Sequence, residues 1–171
     1  MAKLDIITLP DPKLRLASAP LERVDDEVRK LADDMLDTMY AAPGIGLAAV
    51  QVGILKRLIV LDTAKEDAPP QPLVMVNPEI KHLGDATRVY EEGCLSIPDV
   101  RVDIERPTEI VVVYIDKDGK PQELKTGGLL ATAIQHEVDH LDGKLIIDFM
   151  SRLKRDMVIR RFKKQARGPA D

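Results

Sequence analysis

The chain has 171 residues, 44% of them hydrophobic and 32% charged, with a net charge of −4, a composition that fits one globular domain spanning 1–171 and able to bury a core. Three Tyr, two Phe and no Trp leave that core to aliphatic side chains and argue against a base-stacking nucleic-acid surface, and no stretch approaches the ~18 uninterrupted apolar residues of a membrane span. One Cys excludes an internal disulfide, and the start of the chain, interrupted by Pro10 and Pro12, lacks a signal-peptide apolar region, so a cytoplasmic protein with neither DNA nor membrane as partner is expected.

From the N-terminus onward, Asp25 or Asp26 is placed to cap a helix whose apolar residues Val28, Leu31, Met35, Leu36 and Met39 recur at spacings of three and four, and Pro43-Gly44 should stop it. Arg57 to Leu61 has the short apolar run of a buried strand. A polar loop from Thr63 to Gln71 follows, then a second strand at Leu73 to Val76. Residues Val100 to Ile104 alternate, and Glu109 to Ile115 runs into Asp116-Lys117-Asp118-Gly119-Lys120, a hairpin turn. A second helix begins just after Gly127-Gly128, with Gly143 past its end. Strands in the middle and helices at both ends predict an α+β fold: mixed or antiparallel strands around a central helix, with a C-terminal helix over 151–167.

That last segment is electrically distinct. From Ser151 to Asp171 eight Lys and Arg stand against two Asp, a balance of +6 that leaves −10 on the rest of the chain. Leu153, Met157, Val158 and Phe162 offer an apolar side for docking on the body, while Leu153, Met157, Arg160 and Lys164 align along one side. A solvated basic helix and contact with a polyanion such as RNA both fit this pattern.

The central helix carries His136-Glu137-Val138-Asp139-His140, using two of the three histidines in the chain. Residues four apart on a helix have Cβ atoms about 5–6 Å apart, so both imidazoles reach one metal ion, and Glu137, one step round, leans over it as acid or base. This pattern predicts metal-assisted hydrolysis, and the third ligand decides its class. In H-E-x-x-H-x-x-G-x-x-H, Gly143 matches the glycine but Ile146 stands where a ligand is needed. No glutamate follows Glu137, which removes the thermolysin-like arrangement. Cys94, His82, Asp142, Asp148 and Asp156 remain. Cys94 is the strongest of them, because Gly93 lets the backbone approach a crowded centre and the polar run closed by Pro98 reads as a shaped loop. Taken alone, a single Cys is more often a small buried hydrophobe. His82, between Lys81 and Leu83, reads as structural or exposed.

Three segments, Gly44-Ile45-Gly46-Leu47-Ala48-Ala49-Val50-Gln51, Glu92-Gly93-Cys94-Leu95-Ser96 and Gln135-His136-Glu137-Val138-Asp139-His140, resemble in order the three signature motifs of peptide deformylases. The resemblance extends along nearly the whole chain. It implies removal of the N-formyl group from the initiator methionine of nascent polypeptides, with release of formate. Carried over by position, it implies Cys94, His136 and His140 as metal ligands, an open fourth position whose hydroxide attacks the formyl carbon, and Glu137 as the general acid and base. The Gln51 side-chain amide and the Leu95 N–H would stabilise the oxyanion, and Gly46 would present its backbone to the peptide as an added strand does. Ile45, Leu129 and Ala133 are candidates for a methionine pocket, with core packing an equally good reading of those three.

A Cys/His₂ set by itself makes Zn²⁺ the default. The resemblance implies one Fe²⁺ per chain instead, with Ni²⁺ or Co²⁺ as active substitutes. Ligand histidines usually pass their other N–H to an acceptor, and Asp139, Glu92 and Asp142 are all in reach by sequence. A monomer is expected, docking on ribosomal RNA or an adjacent ribosomal protein through the basic tail. Two rival readings share the HExxH helix. A zinc endopeptidase lacks its familiar third ligand here, and a noncatalytic metal-stabilised binding module gives no reason to set Glu137 and Gln51 beside an open coordination position.

Overall fold

A computed structural model describes residues 3–168 of the chain. Helix α1, Asp26–Ala41, starts where the sequence predicts: the Asp25 carboxylate accepts the Val28 N–H at 3.0 Å, and Asp26 and Glu27 complement the positive end of the helix dipole. Next come β1 (Gly46–Ala48), a short 3₁₀ turn over Ala49–Val52, β2 (Leu58–Leu61) and β3 (Leu73–Leu83). Strands β4 (Thr87–Cys94), β5 (Ile97–Pro107), β6 (Glu109–Ile115) and β7 (Pro121–Gly127) precede α2 (Gly128–Leu141), a 3₁₀ turn at Ile146–Phe149 and α3 (Arg152–Ala166). Among the described residues no helix is long and apolar enough to cross a membrane.

Five strands form one antiparallel sheet in the order β1-β2-β3-β6-β7, and β4 and β5 pair antiparallel as a separate ribbon. Both faces of the larger sheet are covered at β2, which explains why that strand reads Leu-Ile-Val-Leu without a polar break. Ile59 and Leu61 pack with Met75, Val112 and the α2 residues Ala131, Ile134, Val138 and Leu141, whereas Leu58 and Val60 pack with Val28, Ala32, Met35 and Met39 of α1. Each Val, Leu, Ile or Met among them contributes about 1.5–3 kcal/mol on burial. In the β6–β7 turn the Asp116 carboxylate accepts the N–H groups of Asp118 and Lys120, both at 2.9 Å, and Gly119 takes φ +82°.

The ribbon corrects one sequence expectation. Cys94 is the last residue of β4, and only Leu95 and Ser96 lie in the turn between the strands. The polar run before it is a strand with one face in solvent, where polarity is tolerated, so composition alone mimicked a loop. Strand β5 supplies the ribbon's apolar face: Ile97, Val100, Val102 and Ile104 are buried against Leu145, Ile146, Ile147 and Phe162, while Arg101, Asp103 and Glu105 point outward.

Helix α3 corrects a second expectation. Val158, Ile159 and Phe162 dock on the ribbon's core, but Leu153 and Met157 are 72% and 60% exposed. At helical spacing Leu153 and Met157 belong with Arg160 and Lys164, so docking through Phe162 turns that whole side to solvent.

Candidate metal centre and catalytic cleft

The start of β1, the end of β4 and one face of α2 converge on a cleft of about 720 Å³. From α2 come His136 and His140, one turn apart, with ring centroids 5.0 Å apart. From β4 comes Cys94, its Sγ 3.3 Å from His140 Nε2. One ligand atom from each of the three lies within 4.8 Å of the others, the separation a single cation can bridge. The other candidates are engaged elsewhere or remote: Asp142 pairs with Arg57 at 3.0 Å, Asp148 pairs with Arg15 at 2.7 Å, Asp156 lies exposed on α3, and His82 is exposed near the end of β3.

Glu92 is the partner that sequence left open. Its Oε1 lies 3.0 Å from His136 Nδ1, and Arg106 grips the same carboxylate through Nε at 2.7 Å and Nη2 at 3.1 Å. Arg106 Nη1 also donates to Asp139 at 2.9 Å. Burial opposes ionisation of Glu92, but His136 and Arg106 outweigh it and hold its pKa below the usual value. An ionised Glu92 only accepts, so the proton belongs on His136 Nδ1 and the Nε2 lone pair is left free to meet a cation.

Buried Glu137 stands beside this group, and its Oε1 has no hydrogen-bond partner among the described residues. Burial pushes its carboxyl up to about 7, with His136 and Arg106 opposing the rise and Glu92 and Asp139 adding to it. A carboxyl poised near neutrality both takes and returns a proton at physiological pH. His140 shifts the opposite way, well below its ordinary value, through burial first with His136 and Arg106 adding to it, so its imidazole is neutral and has a lone pair to offer a cation. One thiol and two imidazoles beside an unpartnered carboxylate oxygen fit a catalytic cation.

Gln51, 1% exposed in the 3₁₀ turn after β1, is locked at its other end. Its Oε1 accepts the Ala48 N–H at 2.9 Å, which leaves Nε2 to donate to Ser96 Oγ at 3.1 Å and to lie 3.6 Å from Cys94 Sγ. Leu95, Ile45, Gly46, Leu129 and Ala133 all line the cleft, Ala133 buried and Ile45 and Leu129 about half exposed at its rim. Gly46 packs so closely on Glu137 that a Cβ there would lie 2.5 Å from Oε2.

Arg106 and Ser96 were missed by sequence reasoning. Arg106 did carry a signal: it occupies the next inward position after Val100, Val102 and Ile104 on an alternating strand, where an arginine needs buried carboxylate partners.

A cleft that gathers Cys, His and His around an ionisable glutamate and a fixed amide donor defines a metal-dependent hydrolase of amide bonds. A family model described as polypeptide deformylase matches residues 3–156. Peptide deformylases of Mesorhizobium japonicum and Rhizobium meliloti are 59% and 58% identical to the chain, covering 96% and 95% of it and 94% and 93% of their own lengths. The crystal structure of peptide deformylase from Ehrlichia chaffeensis in complex with actinonin superposes with a TM-score of 0.92 at 42% identity, covering 98% of this chain and 99% of that one. The chain belongs to the polypeptide deformylase family, and its reaction is the metal-dependent hydrolysis of an N-formyl group; the endopeptidase reading is not favoured.

Proposed function

We propose that Cys94, His136 and His140 hold one Fe²⁺ and that Glu137, Gln51 and Leu95 carry out the chemistry on the formyl group of an N-formylmethionyl nascent peptide. The observation that supports this most strongly is the convergence of three ligand atoms within 4.8 Å beside the unpartnered Glu137 oxygen. A divalent cation held by these three residues would supply Lewis acidity that brings the ionisation of a water down to near neutrality. Glu137 takes the proton of the attacking water as its oxygen bonds to the formyl carbon. It then delivers that proton to the amine nitrogen as the C–N bond breaks, leaving formate and a free α-amine. Gln51 Nε2, held by the Ala48 N–H through the same side chain, and the Leu95 N–H donate to the oxyanion formed between these steps, each worth about 2.7–4 kcal/mol. Gly46 offers its backbone to the peptide, and Ile45, Leu129 and Ala133 receive the methionine side chain.

Iron is preferred over Zn²⁺ through the family relationship, with Ni²⁺ and Co²⁺ as working substitutes. We assign the protein to the cytoplasm as a monomer that meets its substrate at the ribosome, the exposed Arg160 and Lys164 side of α3 facing ribosomal RNA or a neighbouring ribosomal protein. Arg160→Glu with Lys164→Glu should release the folded protein from co-sedimenting ribosomes, and unchanged co-sedimentation would remove that contact. The ligand assignment is tested by anaerobic loading with Fe²⁺. Wild type and Glu137→Gln should each bind one iron per chain, whereas Cys94→Ala and His140→Ala should not; iron retained in both ligand variants would overturn the assignment.

A further inference from the structure

Asp62 is a buried carboxylate away from the catalytic group, 7% exposed, and three separate segments donate to it. Tyr40 Oη, at the end of α1, donates to Oδ2 at 2.5 Å; the Gln71 N–H donates to the same oxygen at 3.0 Å and the Ala64 N–H to Oδ1 at 3.0 Å. The backbone of Asp62 continues the β1–β2 ladder. Beyond the last pair, Gly46 with Leu61, the Asp62 N–H donates to the Ile45 carbonyl at 2.9 Å. One residue therefore ties the end of α1 and the 63–71 loop to the strand that forms a wall of the cleft.

The position matters because β1, though its side chains are buried, is hydrogen-bonded into the sheet from one side. It is three residues long, lies at the edge of the sheet and, among the described residues, pairs with β2 alone. Its N-terminal approach, Ala42 to Ile45, is anchored at the helix end through the Gly44 N–H on the Met39 carbonyl at 2.8 Å. Ile45 and Gly46 line the cleft, and Gly46 lies in contact with Glu137. Nothing in the chemistry of the site requires a buried carboxylate at 62, yet an unpaired one would be costly, and full occupation of both its oxygens makes it a rigid joint. Burial first, then the hydrogen bond to Asp62 and its charge, push the Tyr40 hydroxyl up to about 12, so the hydroxyl keeps its proton and the joint stays intact across physiological pH.

We propose that Asp62 and Tyr40 form a positioning pair that sets the height of Ile45 and Gly46 in the cleft and thereby the affinity for the formylated peptide. The proposal rests on the deformylase reading only for its kinetic test. In Tyr40→Phe and Asp62→Asn the KM for a formyl-Met-Ala-Ser peptide should rise about three- to tenfold, while kcat stays within about twofold because Glu137 stands on α2 and Ala48, which holds Gln51, lies at the end of β1 remote from Asp62. The double variant should be little worse than Asp62→Asn alone, since both remove one joint. Hydrogen exchange gives a readout independent of activity: the Asp62 amide should exchange about tenfold faster in the variants, with the amides of β3 and β6 unchanged. Unchanged KM in both folded variants, or a fall in kcat at constant KM, would overturn the proposal. If wild type releases no formate, the deformylase reading fails instead, and the pair is judged on exchange alone, with unchanged Asp62 protection overturning it.

Discussion

Gly46→Ala should disable the cleft while leaving the protein folded. Gly46 is outside the left-handed region of backbone space, so alanine meets no conformational penalty, and restricting the unfolded chain would by itself stabilise by about 0.4–1 kcal/mol. Sterics oppose this. The new Cβ would lie 2.5 Å from Glu137 Oε2 and 3.0 Å from both Cδ and Cγ, whereas ordinary contact begins at 3.4 Å, so the carboxylate must retreat by about 0.9 Å. Because Cγ is crowded too, a rotation of the carboxylate alone cannot relieve the clash, and Glu137 is 4% exposed with little room to move. Overpacking of this kind costs about 1–3 kcal/mol, so the net loss of stability is at most about 2.5 kcal/mol. A misplacement near 1 Å at a reacting group costs about 10²-fold in rate. The expected variant is folded, binds one Fe²⁺ per chain and turns over formyl-Met-Ala about a hundredfold more slowly in kcat. A kcat within about threefold of wild type at full metal content would refute the close packing of β1 on Glu137.

Removing Arg106 by Arg106→Ala leaves Glu92 and Asp139 without their cation in a site where the Glu92 side chain is only 6% exposed; the expected loss is about 3–5 kcal/mol in urea unfolding, and a loss below about 1 kcal/mol would contradict the buried network. Arg15 overcomes the effect of burial and holds the Asp148 carboxyl below its ordinary value, so this pair adds stability above the unfolded pKa near 3.9 and loses it as pH falls through the lower folded value. Asp148→Asn should therefore cost about 0.2–1 kcal/mol at pH 7, with the difference from wild type vanishing in strong acid; a difference that grows on acidification would have the wrong sign. Chelation should abolish formate release and Fe²⁺, Ni²⁺ or Co²⁺ should restore it anaerobically. The iron form should lose activity in air through its thiol ligand, and full activity after long exposure with iron bound would count against Cys94 as that ligand.

Local chemistry with a fixed period was readable from sequence. The Asp25 cap, the apolar spacing of α1, the hairpin turn at Asp116 and the four-residue separation of His136 and His140 are set by neighbours in the chain, and the structure has each of them in place. What depends on distant strands was not. Glu92, Asp139 and Asp142 were equivalent by sequence as partners for the histidines; only the pairing of β4 with β5 brings Arg106 to Glu92, and only the approach of Arg57 takes Asp142 away. β7 escaped notice because Gln122, Glu123 and Lys125 on an edge strand carry no apolar alternation. The faces of α3 were mixed because its apolar residues occupy two sides and only docking of Phe162 selects one. Tyr40 and Asp62 showed no motif at all, since their partnership exists only once α1 and β2 have packed.

The proposed role of Glu137 is to move the proton in hydrolysis of a formyl amide at a metal centre held by Cys94, His136 and His140. Formate release from formyl-Met-Ala by protein loaded anaerobically with Fe²⁺ or Ni²⁺, with Glu137→Gln alongside, tests it directly. Wild type should release formate rapidly and leave unformylated Met-Ala intact, and the variant should retain its metal and lose at least about 10²-fold in rate. No release by metal-loaded wild type, or turnover by Glu137→Gln at the wild-type rate, would contradict it.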